Sequence, residues 1–411
     1  MLPVRRWLEP ALAQVGGDGT GQSVHSALRD TLERQKSRAI STRVVDRATV
    51  VLDDGTGSPW TVRFAGGAFA MEPGRARDAD TTISGDPLTL VSVVRGHRGG
   101  LDAFLRGRLR VRGNLALAIA LDGVFDRRTR PSERPRAARL NAGGIDTFYV
   151  EAGTGPTVVV LHGLGATNAS MMPTVAELSR THRVLAPDLP GFGESEKPVA
   201  TYAPAFFARW LSAFLDATGT PRASIIGNSM GGRIAIETAL TAPDRVDKLA
   251  LLAPSMAFRK FRQAAPVVRF LSPEMGVLPV PVLSPYIHRG IRLLFARPER
   301  LSDAWYDAAV DEFLRVFRTP RGRVALFAAA RQIYLERPFG PRGFWPRLAT
   351  LRHETLFLWG DRDRMVPAGF ARHVEETLPN ARSIVMESTG HVPQFEHPER
   401  THALVREFLG G

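Results

Sequence analysis

Apolar positions recur along the chain in two different rhythms, separated by a short stretch without any. From residue 138 onward, runs of four to six apolar positions at 157–161, 183–186, 223–226, 249–252, 355–359 and 383–386 alternate with amphipathic stretches. Each run is bounded by Gly, Pro, Asp or Asn. Continuous apolar runs between turn residues mark strands covered on both faces, and their alternation with helical stretches predicts βα units on a parallel sheet. The regular spacing breaks between Leu252 and Thr355, where Phe258, Phe270, Phe313, Phe327 and Tyr334 lie among arginines. Helices with one apolar face, inserted as a cap over about 255–350, are the expectation.

The earlier rhythm is that of short β-branched runs, at 43–52 and 60–64, around a Gly-rich turn at 54–57, with helical stretches flanking them. Between the two patterns, residues 126–136 are charged, contain two prolines and include no apolar position, which reads as an exposed linker. A chain of 411 residues also exceeds the roughly 250–300 at which one core stops growing. The expected division is a domain over 1–125, a linker over 126–137 and a second domain over 138–411.

Composition narrows the function. Hydrophobic residues make up 44% and charged residues 23%, as in folded globular proteins. The absence of cysteine excludes a disulfide framework, thiolate metal ligands and a Cys nucleophile, and fits a reducing compartment. Residues 1–15 lack the apolar stretch and small-residue cleavage site of a secretory signal, and no run approaches ~20 apolar residues, so a cytoplasmic protein is expected. The net charge of +13 leaves room for peripheral contact with an anionic membrane. Nucleic acid is not expected as a partner, because the arginines are scattered and no binding motif accompanies them.

The chemistry concentrates in the second domain. Gly227-Asn228-Ser229-Met230-Gly231 matches G-x-S-x-G directly after one apolar run and before a helix-like stretch. Such a turn holds a serine in strained backbone geometry, with glycines where the chain approaches itself closely and a helix N-terminus favouring negative charge. Serine alone is a poor nucleophile at neutral pH, so an imidazole must take its proton and a carboxylate must orient that imidazole. In chain order the candidates are Asp361 or Asp363, before Pro367, and His391, after Gly390. His162 is a competing base, and His397 and His402 read as surface residues near the terminal helix.

These motifs resemble the α/β-hydrolase superfamily over about residue 140 to the C-terminus. The resemblance implies a mostly parallel central sheet with a helical cap, and a triad of Ser229, Asp363 and His391, the acid standing four residues before the proline. Asp361 becomes a turn residue. The turn His162-Gly163-Leu164-Gly165 is similar to the family's oxyanion loop, which implies amide donors at Leu164 and Met230, with His162 bracing the loop. The segment 188–195, Asp-Leu-Pro-Gly-Phe-Gly-Glu-Ser, shapes a turn near the pocket.

Residues 79–90, with a Gly-Asp-Pro turn, and 104–118, with Gly107 and Gly113, resemble the sterol-carrier-protein fold over about 41–125. That resemblance implies a smaller α+β domain with an apolar tunnel for acyl chains or sterols. The function expected is a serine hydrolase cleaving an ester or thioester of a small lipid-like substrate through an acyl-serine intermediate, with no cofactor and no metal. A carbon–carbon bond hydrolase or an acyltransferase would use the same triad, and a lipid carrier with an inactive hydrolase fold is the alternative from another class. Dehalogenase and epoxide-hydrolase chemistry would need Asp where Ser229 stands. Arg289, Arg292, Arg297 and Arg300 raise acyl-coenzyme A as a substrate, against the simpler reading of a solvated helix face. Oligomeric state is left open.

Overall fold

The computed structural model describes residues 47–125, 135–258 and 284–410, apart from 56, 58, 66, 67, 97 and 98, together with 30, 265–270 and 272–278. The stretch 1–15, the flanking helix before the first strand and most of the expected linker lie outside the described residues. Among the described residues, no helix is long and apolar enough to cross a membrane.

Two sheets organise the chain. The first contains β1 (Arg47–Asp53), β2 (Trp60–Ala65), β3 (Ala68–Pro73), β4 (Thr81–Gly85) and β5 (Leu109–Gly113) in the order β3-β2-β1-β4-β5. Only the β1–β4 pair is parallel. Its helices are α1 (Pro87–Val94), α2 (Gly100–Leu105) and α3 (Leu115–Phe125). The Gly-Asp-Pro turn works as a helix start: the Asp86 carboxylate accepts from the Thr89 amide at 2.9 Å and the Thr89 hydroxyl at 2.6 Å, and Pro87 opens the helix. These bonds hold the Asp86 carboxyl below its usual range.

The sequence of α3, Leu-Ala-Leu-Ala-Ile-Ala-Leu-Asp-Gly-Val-Phe, is apolar nearly all round, so the helix must be covered on more than one side. It packs against α1, α2, β4 and β5 of its own unit, and against the second unit as well.

The second sheet runs β13-β12-β11-β10-β8-β9-β7-β6. Its members are β6 (Arg136–Ala142), β7 (Ile145–Ala152), β8 (Thr157–Leu161), β9 (Arg183–Pro187), β10 (Ala223–Asn228), β11 (Val246–Leu252), β12 (Thr355–Gly360) and β13 (Arg382–Met386). The six apolar runs are the strands β8 to β13. The β6–β7 hairpin was not expected, and its antiparallel pairing to β9 through β7 makes the sheet mixed. Burial on both faces fails at β13, which pairs with β12 alone and leaves Val385 exposed, because it closes the sheet. The helices α4 (Met172–Leu178), α5 (Pro204–Ala217) and α6 (Met230–Thr241) cover the faces.

Between β11 and β12 the chain forms α7 (Ala265–Phe270), α8 (Ser284–Arg292), α9 (Asp303–Phe317), α10 (Pro320–Tyr334) and α11 (Phe344–Leu348). It ends with α12 (Gly369–Thr377), α13 (Pro393–Glu396) and α14 (Pro398–Leu409). Buried Arg233, on α6, pairs with Glu237 and Glu336, and Glu237 also takes Arg347 at 2.5 Å, so a chain of ion pairs fastens the returning cap to the helix behind Ser229. Burial of that charge is tolerable only because both carboxylates reach it. His402, expected at the surface, is buried with its ring 3.1 Å from the Thr174 hydroxyl on α4, and burial pushes its pKa down to about 4.

The two units are joined through the β5–α3 turn. Arg112 donates to both oxygens of Asp311 on α9, at 2.6 and 3.0 Å, and the Gly113 amide reaches Asp311 at 3.1 Å. The Leu115 amide points to Glu312 at 3.4 Å, and Asn114 donates to Glu194 at 3.1 Å. Carboxylates are thus gathered at the N-terminus of α3, where the helix dipole favours them. Gly113, at φ +89°, cannot carry a side chain, since a Cβ would stand 2.3 Å from the Asp80 carbonyl oxygen.

Candidate active site

Ser229 stands at the sharp junction of β10 and α6 with φ 52° and ψ −115°, a region that costs a non-glycine residue about 1–3 kcal/mol. The turn holds because the backbone is over-determined. The Ser229 amide donates to the Leu252 carbonyl at 3.0 Å, and its carbonyl accepts from Ser255 and Arg233. Gly227 and Gly231 are required by the crossing, as a Cβ on Gly227 would meet Gly231 at 2.4 Å and one on Gly231 the Leu161 oxygen at 2.3 Å. The Ser229 hydroxyl lies 3.3 Å from the Ser255 hydroxyl, a partner that the sequence did not reveal.

His391 reaches the same place from the loop after β13. Its Nδ1 is 2.7 Å from Asp363 Oδ2, which fixes the proton on Nδ1 and leaves Nε2 unprotonated in the neutral ring. The other Asp363 oxygen accepts from the Met365 and Val366 amides at 2.7 and 2.9 Å, and the Asp363 side chain is fully buried. The loop carrying His391 is stitched to the cap: its amide donates to the Leu294 carbonyl at 2.7 Å. Glu396 accepts from Gly390 and from Ala296 at 2.8 and 2.9 Å, and burial holds the Glu396 carboxyl above its ordinary pKa. Asn228 completes the frame by donating to both the Leu252 and the His391 carbonyls, at 3.0 and 3.1 Å. Asp361 takes the Thr389 amide at 3.0 Å, a backbone-bracing position.

Opposite the serine, the turn after β8 brings Gly163 and Leu164 to the cavity wall. His162 accepts from the Leu189 amide on Nε2 at 3.0 Å and meets the Gly163 carbonyl through Nδ1 at 2.8 Å, which braces this turn. Its burial pushes the pKa down to about 4, so the ring is neutral at ordinary pH. Met230 is the first residue of α6, so its amide precedes the helix's own hydrogen-bonded turns. Asp188 accepts from Asn168 and Glu194 at 2.7 and 2.8 Å, and burial pushes its carboxyl up to about 7.

Ser229, Ser255, His391 and Leu164 line one cavity of about 330 Å³. Its remaining wall comes from both units: Phe258, Ile291, Leu294 and Phe313 on the cap side, and Leu90, Phe104, Leu109 and Leu121 on the side of the first sheet. Among the described residues no Arg or Lys lines it, and Glu312 is its one carboxylate. None of Arg289, Arg292, Arg297 and Arg300 lines it; Arg292 pairs with Asp303 and lies over the Tyr306 ring, and Arg297 reaches the Ser388 hydroxyl. No group of three or more His, Cys, Asp or Glu that could hold a metal ion occurs among the described residues.

Comparison with known proteins gives the family of the fold. Residues 156–398 match the alpha/beta hydrolase fold family, and residues 27–126 match the SCP-2 sterol transfer family. The chain is 30% identical over 295 residues to 2-hydroxymuconate semialdehyde hydrolase of Pseudomonas putida, covering 68% of this chain and 96% of that protein. It is 31% identical over 271 residues to the dihydrolipoyllysine-residue acetyltransferase component of the acetoin cleaving system of Cupriavidus necator, covering 65% and 67%. Among solved structures, a bacterial membrane phospholipase A aligns with a TM-score of 0.58 at 26% identity, covering 78% of this chain and 96% of that one. The chain therefore belongs to the α/β-hydrolase fold family, and the stretch ahead of the hydrolase fold matches the SCP-2 sterol transfer family.

Proposed function

We propose that the protein is a serine hydrolase cleaving an ester or thioester of a lipid-like substrate, with Ser229 as nucleophile, His391 as base and Asp363 as the orienting acid. One observation carries this reading: Ser229 and the Asp363-held His391 open onto a cavity whose wall is otherwise almost wholly apolar and holds no cation among the described residues. Such a wall suits an acyl chain and offers an anionic headgroup no partner among the described residues. The similarity to a phospholipase A points the same way.

In the reaction, the Ser229 oxygen attacks the acyl carbon while His391 Nε2 takes the hydroxyl proton. The carbonyl oxygen becomes an oxyanion between the amides of Leu164 and Met230. Collapse of the tetrahedral intermediate breaks the bond to the alcohol or thiol, which leaves with the proton held by His391. Water then attacks the acyl-serine, giving its proton to His391, and the second collapse releases the carboxylic acid and restores the serine hydroxyl.

Carbon–carbon bond hydrolysis is the second reading, favoured by the similarity to 2-hydroxymuconate semialdehyde hydrolase. A carboxylate-bearing substrate of that kind would be expected to meet a cation in its pocket, and this wall has none among the described residues. Kinetics on 4-nitrophenyl esters of rising chain length beside 2-hydroxymuconate semialdehyde separate the two. Turnover of the esters alone supports the proposal, and turnover of the semialdehyde alone replaces it.

A further inference from the structure

We infer that the SCP-2 unit is the acyl-chain half of the active site: the substrate's tail lies inside that unit while its ester carbon is at Ser229. The inference deepens the acyl-serine reading and rests on it. Carrier and enzyme would then share one ligand pose, with no release and recapture between them.

The cavity wall has a direction. Every hydrogen-bonding residue that could meet a reacting carbonyl, from Leu164 through Asn228, Ser229 and Ser255 to His391, belongs to the hydrolase fold. Every residue that the first unit contributes is aliphatic, glycine or Phe104. An end with no polar side chain cannot hold a headgroup without leaving its polar atoms unpaired, which is unfavourable. It can hold methylenes, each of which gains by leaving water. A chain bound there has one orientation, with the tail among Leu90, Leu101, Phe104 and Ala118 and the carbonyl toward Ser229.

The junction keeps this shape. α3 supplies Leu115, Ala118, Ile119 and Leu121 to the wall, and the clamp at its N-terminus ties it to α9, which supplies Ala308, Glu312 and Phe313. Both halves of the wall are therefore referred to the same helix pair. A flexible tether between a carrier and an enzyme would require none of these contacts.

Two experiments on the full chain decide the matter. Ala118 lines the cavity from α3 and is only partly buried, so Ala118→Trp adds bulk to the tail end. The ratio of kcat/KM for the 4-nitrophenyl palmitate ester to that for the butyrate should fall at least about tenfold in this variant. An unchanged ratio in a variant with wild-type thermal unfolding overturns the inference. Independently of turnover, palmitate carrying a terminal diazirine is photolysed with wild-type protein and the adducts are mapped by mass spectrometry. Adducts within 87–121 support the inference; adducts confined to the cap or to scattered surface sites, or none at all, overturn it. Failure of wild type to cleave the butyrate ester would count against the hydrolase reading instead, and the photolysis result would still stand.

Discussion

Around Ser229 the cavity is built from directional bonds, whereas at the end formed by the first unit it is built from volume alone. Asp363 holds His391 with one oxygen and two backbone amides with the other, and Asn228 and Glu396 tie the histidine loop to the nucleophile turn and to the cap. Each of these groups has a fixed position, so a small displacement is costly. Leu90, Phe104, Leu109 and Leu121 have no such obligation, and aliphatic exchanges that conserve volume are tolerated in such walls. Reactivity should accordingly break at single atoms at one end, while chain-length preference should change gradually with size at the other.

The strongest way to break this comparison is at the serine. Ser229→Ala is expected to lower kcat for a 4-nitrophenyl ester by up to about 10⁶-fold, with the melting temperature close to wild type. Residual activity within tenfold of wild type would remove Ser229 from the chemistry. Asp363→Asn should come next, at about 10⁴-fold, because an amide both loses the charge and favours the wrong imidazole tautomer. Steady-state rates with the same ester check this, and a loss under tenfold would transfer the role to another carboxylate.

Asp188 lies at the seam between the two ends, since its neighbour Glu194 takes both Asn114 of the first unit and Arg315 of the cap. Its folded carboxyl, pushed up to about 7 from 3.8 by burial, holds a proton that the unfolded chain releases earlier. The group therefore favours folding fully below about pH 4, and that contribution is lost as pH rises through about 7, with a slope of at most ~1.4 kcal/mol per pH unit. Urea midpoints of wild type relative to Asp188→Asn should decline across this window. A difference that stays flat would place the charged carboxylate in the fold at all these pH values. The smallest effect belongs to Asp311→Ala. Its partner Arg112 is more than half exposed, so the lost pair should cost no more than about 1 kcal/mol in thermal unfolding. The palmitate-to-butyrate ratio should drop only about two- to threefold if the clamp merely keeps the halves in register.

What could be read from sequence follows the same divide. The nucleophile turn was legible because its geometry admits only glycine at Gly227 and Gly231, and the runs of the parallel sheet because strands covered on both faces exclude polar residues. The β6–β7 hairpin was not, because Arg136 and Arg139 interrupt its alternation and pair with Glu151 and Asp146 across the strands. Ser255 and Asn228 were missed since their partners are set by the crossing of β10 and β11 and the arrival of the histidine loop. His402 sits among charged residues of α14, and only its meeting with Thr174, 228 positions away, explains its burial. Glu312 carries no motif that would single it out, yet it is buried against α3 and Arg315. The joint cavity left no sequence signature at all, since aliphatic wall residues read as ordinary core.

The apolar girth of α3 has a consequence for how this chain can be taken apart. Its outer side rests on β6 and on the turn at 168–171, so producing the two units as separate chains would leave each without that cover. Each would carry half of an oil-lined pipe open to water, a surface that drives self-association. The two units are therefore expected to be recovered in soluble form only as one chain.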